Sequence, residues 1–78
     1  MKIQILGTGC PKCKQLAANA QKAIEAAGVD AEIEKIEKIA EIVAFGVMVT
    51  PALAIDGEVK SSGKVLSADQ IHELIKGA

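Results

Sequence analysis

The chain begins with a short apolar, β-branched run from Lys2 to Leu6, closed by Gly7-Thr8-Gly9, and this pattern predicts a buried strand ending in a loop. Pro11 and Gly28 then bracket a predicted helix of about 17 residues, with proline at a first helical position and glycine just past the end. Inside the bracket Cys13, Leu16, Ala17, Ala20, Ile24 and Ala27 recur at helical spacing and form an apolar stripe. Lys12, Lys14, Asn19, Lys22 and Glu25 fall outside the stripe.

The period then shortens. Val29, Ala31 and Ile33 alternate with Asp30, Glu32 and Glu34, which predicts a second strand, and Ile36, Ile39, Ile42 and Val43 suit a short helix stopping at Gly46. Phe45 and Met48 are core candidates. Ala52 to Ile55 is apolar, Asp56-Gly57 is a strong hairpin signal, and Glu58 to Ser61 reads as the returning strand. Ser67 and Gln70 have capping-box spacing ahead of Ile71, Leu74 and Ile75, the apolar face of a last helix before Gly77. The predicted order is β-α-β-α-β-β-α. The first strand-helix-strand unit implies a right-handed parallel crossover, and the hairpin adds two antiparallel strands to the same sheet.

Composition narrows the class. At 78 residues the chain is expected to be one domain, 1–78, burying about 60–65% of the surface its unfolded form exposes. Half the residues are hydrophobic but Phe45 is the sole aromatic, so Ile, Leu, Val and Ala must supply the packing. Lysines and acids nearly balance, arginine is missing, and no basic stripe occurs, which argues against a nucleic-acid partner. No apolar stretch approaches a bilayer span and the start is too short for a secretory signal, so no membrane association is expected. The expected setting is the cytoplasm, as a monomer. There a cysteine pair is more often catalytic or metal-binding than a structural staple.

Both cysteines lie in Gly7-Thr8-Gly9-Cys10-Pro11-Lys12-Cys13. Cys10, at the strand's carboxyl end and directly before Pro11, is expected at the N-cap of the first helix, where unpaired N–H groups and the helix dipole stabilise an anion and lower a thiol's pKa. Lys12 adds a positive charge nearby. Cys13, one turn in, shares the stripe with Leu16 and Ala20 and is expected to be shielded. One activated sulfur beside one buried sulfur suits dithiol exchange, with Cys10 attacking a disulfide and Cys13 resolving the mixed disulfide. Pro11 would fix the helix start and hold the two sulfurs within bonding range. Two other readings stand beside it. Two thiolates at this spacing can hold corners of a zinc site or a linear copper(I), although His72 is the one further soft or borderline ligand. Both cysteines could also be ordinary small hydrophobes.

With the cysteines placed, "GTGCPKC" after a first strand, "VTPALAIDGEVKSSG" later, and the element order together resemble a minimal thioredoxin-like α/β fold. In this fold a four-stranded mixed sheet is flanked by three helices. More narrowly the chain resembles the small redox-active disulfide proteins called glutaredoxin-like thioredoxins, and the likeness covers nearly the whole length. The resemblance implies a thiol-disulfide oxidoreductase that needs no cofactor beyond a Cys10-Cys13 disulfide and no metal. It also implies a cis peptide at Pro51 beside the cysteines, with Thr50 offering its backbone to an extended substrate segment. Implied partners are disulfide-containing proteins and a reductase of the thioredoxin-reductase type.

The sequence departs from the wider family in places. Thioredoxins usually carry Trp where Gly9 stands and an acid where Gln4 stands; Gly9 is grouped here with the residues supporting the site. Glutaredoxins carry a Gly-Gly pair and an acid that helps to hold glutathione, where this chain has Ser61-Ser62-Gly63-Lys64; a protein dithiol or reductase is therefore the expected donor. Heavy-metal-associated domains share a helix-start Cys-x-x-Cys, but their βαββαβ order and their Met before the motif differ from this chain, which has Thr8. A redox-sensing module that does not turn over is a third class. His72 and Lys14 read as solvated helix residues, Gly63 as a turn residue, and Gly7 and Gly9 do not form a phosphate loop, because the pattern fails at Lys12.

Overall fold

The computed structural model of the chain describes residues 1–9 and 11–77; Cys10 and Ala78 lie outside the described residues. The elements are β1 (Lys2–Leu6), α1 (Pro11–Ala27), β2 (Glu32–Ile36), α2 (Ile39–Ala44), β3 (Ala52–Ile55), β4 (Glu58–Ser62) and α3 (Ala68–Gly77). This is the predicted order. The four strands form one sheet in the order β2-β1-β3-β4, with β1 and β2 parallel and the other neighbours antiparallel.

Position in the sheet explains the burial of each strand. β1 and β3 are central and covered on both faces, so their apolar runs are almost wholly buried, whereas the edge strand β4 alternates exposed and half-buried residues. One face carries Ile3, Ile5, Leu53 and Ile55, packed against Leu16, Ala20, Ala23 and Ile24 of α1 and Ile71 and Ile75 of α3. The other face carries Leu6, Ile36, Ala52 and Ala54, covered by Ile42 of α2 and by Val47. The sheet is thus a middle layer with two helices on one side and one short helix on the other.

Local signals were accurate where the chemistry is local. α1 starts at Pro11, and Gly28 follows its end at φ +66°. Asp56 and Gly57 both have positive φ, as a two-residue hairpin turn of the primed type requires. At α3 the capping box is reciprocal: the Gln70 N–H donates to Ser67 Oγ at 3.1 Å, and the Ser67 N–H donates to Gln70 Oε1 at 2.9 Å. Ser67→Ala is expected to lower stability by about 1 kcal/mol, read as a shift of the urea midpoint without change of slope.

Three expectations need correction. β2 starts at Glu32 rather than Val29, because pairing with β1 begins at Lys2 and the Glu32 N–H donates to the Met1 carbonyl at 3.0 Å; Val29 has no β1 residue opposite it and is exposed. Ile36 ends β2 instead of opening the second helix, and α2 buries Ile42 while exposing Ile39 and Val43. Met48 is 96% exposed rather than core. The helix stops at Gly46 (φ +83°), and the Val47 N–H turns back to the Ile42 carbonyl at 3.4 Å. That turn sends Val47 inward, so its neighbour Met48 faces water. Phe45 is partly buried against the α2-side core.

Candidate active site

The cysteine loop lies where β1 hands over to α1. Gly7 extends the parallel ladder by one bond, its N–H donating to the Ile36 carbonyl at 2.9 Å. Cys13 is buried on the first turn of α1. A side chain at position 7 would overlap Cys13 Sγ; its Cβ would lie 3.3 Å from the Cys13 Cβ and 3.9 Å from the Thr50 Cβ. Gly7 therefore forms a bare backbone floor on which the sulfur rests, with Thr50 close on another side. Sequence reasoning read Gly7 only as the end of a strand. Spacing gives no signal of this contact, because it depends on how α1 packs back over the sheet.

The other predicted site residues fall as follows. Pro11 is the first residue of α1 and is exposed, as are Lys12 and Lys14. Thr50 is exposed, Pro51 is buried, and the peptide between them is cis, in line with the resemblance. Gly63 (φ +74°) underpins this turn: its N–H donates to the Pro51 carbonyl at 2.8 Å, and a Cβ there would come within 2.8 Å of Val49 Cγ1. Gly9 has φ +88°, a backbone region that a tryptophan rarely adopts, and a Cβ there would sit 3.3 Å from Glu37 Oε2. The expected N-cap place of Cys10 lies outside the described residues.

Gln4 is the one buried polar residue described, and its hydrogen bonds point away from the cysteine loop. Its Oε1 accepts from the Gly57 N–H at 2.8 Å and its Nε2 donates to Glu34 Oε1 at 3.3 Å. Gly57 belongs to the hairpin turn at the amino end of β1, where Lys2 N–H meets Asp56 Oδ1 at 2.8 Å. Gln4 is thus a bracket between sheet and turn.

Two hollows flank the loop. A small cavity of about 60 Å³ is lined by Cys13, Gly7, Gly9, Lys14, Lys35 and Glu37. A wider groove of about 610 Å³ runs past Thr8, Ile39, Val43, Met48 and Thr50. Its walls are unusually apolar for surface residues: Ile39 is 69% and Val43 62% exposed. Among the described residues no three His, Cys, Asp or Glu side chains gather as a metal site, and no helix is long and apolar enough to cross a membrane. His72 is half-buried on α3.

The family model for the thioredoxin domain matches residues 1–76. A protein named thioredoxin from Methanothermobacter thermautotrophicus is 45% identical over 75 residues, covering 96% of this chain and 97% of the relative. Another protein named thioredoxin, from Methanocaldococcus jannaschii, is 46% identical over 74 residues, covering 95% of this chain and 85% of the relative. Likeness of this extent, over nearly the whole of both chains, places the chain in the thioredoxin domain family.

Proposed function

We propose that the chain is a thiol-disulfide oxidoreductase of the cytoplasm that reduces disulfides in proteins, with Cys10 as nucleophile, Cys13 as resolving thiol and no cofactor beyond the cysteine pair. Family membership supports an oxidoreductase role of this general kind. The observation that carries the finer reading is the seat of Cys13: its sulfur is buried against bare backbone at Gly7, at the start of a helix, and Thr50 lies near that same glycine. A buried sulfur cannot meet a bulky disulfide directly. It can attack a disulfide formed on a neighbouring sulfur, and Cys10 stands three residues before it in the chain.

The groove supports a polypeptide substrate. Ile39, Val43 and Met48 offer apolar contact beside Thr8 and Thr50, so an extended segment could lie across them while its disulfide reaches the cysteine loop. Pro11 and Lys12 would support the site by fixing the helix start and by adding positive charge near the thiolate. A protein dithiol or a reductase of the thioredoxin-reductase type would return electrons to the Cys10-Cys13 disulfide.

The test is turnover of a disulfide-bonded protein with an excess of a small dithiol as electron source. Many turnovers per chain are expected, and stoichiometric reaction alone would make the protein a sensor. In the same assay Val43→Asp, at an exposed position, is expected to raise KM for the protein disulfide about tenfold, equivalent to roughly 1.4 kcal/mol of lost contact. Its kcat for a small aromatic disulfide is expected to stay unchanged. Equal losses on both substrates would remove the groove from substrate binding.

A further inference from the structure

The resolving step requires Cys13 to lose a proton, since the thiolate is the attacking species. Its sulfur is buried, and Gln4 is neutral and engaged with the hairpin turn. The small cavity beside Cys13 is the route on this side of the loop. At about 60 Å³ it has room for water, and polar groups from three segments face it: Lys14 from α1, Lys35 from β2 and Glu37 just beyond β2. All three are exposed, so the cavity links the buried sulfur to the surface. Glu37 supplies the carboxylate among them, and its Oε2 lies against Gly9, next to the motif.

We infer that Glu37 is the proton acceptor for Cys13, acting through water held in this cavity, while Lys14 and Lys35 favour the thiolate that remains. This assignment rests on the oxidoreductase reading above. In the mixed-disulfide state the Cys13 S–H proton passes through water to the Glu37 carboxylate. The Cys13 thiolate then attacks the Cys10 sulfur, the bond between Cys10 and the substrate sulfur breaks, and the Cys10-Cys13 bond forms. The substrate leaves as a thiolate and takes up a proton from solvent, while Glu37 returns its proton through the same water. Two electrons pass from the cysteine pair to the substrate, and no further oxidant or reductant is involved. Glu37 acts on Cys13 through the cavity water and is a positioning residue for the proton.

The small size of Gly9 is part of the arrangement. A side chain there would press on the Glu37 carboxylate from 3.3 Å and fill the approach to the cavity. This gives the glycine before Cys10 a use besides its positive φ.

The test separates the two chemical steps by rapid quench with a disulfide-bonded protein. Formation of the mixed disulfide is measured in a Cys13→Ser background, with and without Glu37→Gln, and the two rates are expected to be equal. Resolution is measured with both cysteines present. Glu37→Gln is expected to slow it about tenfold near neutral pH, below the 10²–10⁴ typical of general bases because bulk water can also reach the cavity. The gap narrows as pH rises and solvent hydroxide takes over. Glu37→Asp is expected to restore part of the rate. Equal resolution rates in wild type and Glu37→Gln across pH would overturn the assignment. So would a matching loss in both steps, which would mark a structural effect. Absence of any mixed disulfide in Cys13→Ser would instead refute the underlying exchange reaction.

Discussion

Cys13→Ser is expected to accumulate a covalent adduct with a disulfide-bonded protein, whereas Cys10→Ser forms none, and both lose turnover down to the rate of the reductant alone. The expectation follows from the burial of Cys13 and from the role proposed for Cys10. Cys13 is 5% exposed and backed by Gly7, so it cannot be reached by a protein disulfide until one sulfur of that disulfide has been carried to its neighbour. With serine at 13 the chemistry stops after the first exchange, because a hydroxyl at neutral pH does not displace a thiolate. With serine at 10 the first exchange has no nucleophile. Non-reducing gel electrophoresis and intact mass give the result directly. A metal-binding pair would behave differently: either serine would weaken zinc or copper(I) binding alike, and neither would yield an adduct. Adducts in both variants at equal rates would make the sulfurs equivalent and remove the assigned roles.

What could be read from the sequence divides along a physical line. Features set by a few neighbouring residues were legible: proline opening α1, glycine closing it, the Asp56-Gly57 turn and the Ser67-Gln70 box all depend on local backbone preference and short-range hydrogen bonds. Patterns whose outcome depends on distant partners were not. Val29 continues the alternation of β2 but lies beyond the end of β1, so periodicity extended a strand that pairing cuts short. Met48 read as a core candidate and Ile39 and Val43 as apolar positions of a short helix, yet that helix buries only Ile42 and leaves the others to line a groove. Their exposure is the part of the site that hydrophobicity alone concealed. The cavity was hidden for another reason, since it joins Cys13 to Lys35 and Glu37 across the parallel crossover and no spacing rule relates those positions.

Gly7→Ala is expected to produce the largest effect of any single methyl group added to this protein. Position 7 is not a matter of backbone freedom, because the space above its Cα is already occupied by the Cys13 sulfur. Backbone cannot yield on the other side: the Gly7 N–H is tied to the Ile36 carbonyl at 2.9 Å, and the strand it continues lies at the centre of the sheet. The methyl group must therefore move Cys13, and with it the first turn of α1. Overpacking of this kind typically costs 1–3 kcal/mol, and about 2 kcal/mol is expected here from denaturant titration. The catalytic cost is expected to exceed the stability cost. An attacking atom displaced by about 1 Å can lose on the order of 100-fold in rate, so resolution should slow by about that factor while the first exchange, assigned above to Cys10, changes far less. Mixed disulfide, which in the proposed mechanism wild-type protein clears within each turnover, would then build up in Gly7→Ala even with both cysteines in place. Quenching the reaction with acid and counting adduct by mass spectrometry distinguishes this from simple unfolding, which would lower both steps together. Unaltered stability and unaltered resolution in Gly7→Ala would show that α1 can shift freely over the end of β1, and the floor assigned to Gly7 would have no role.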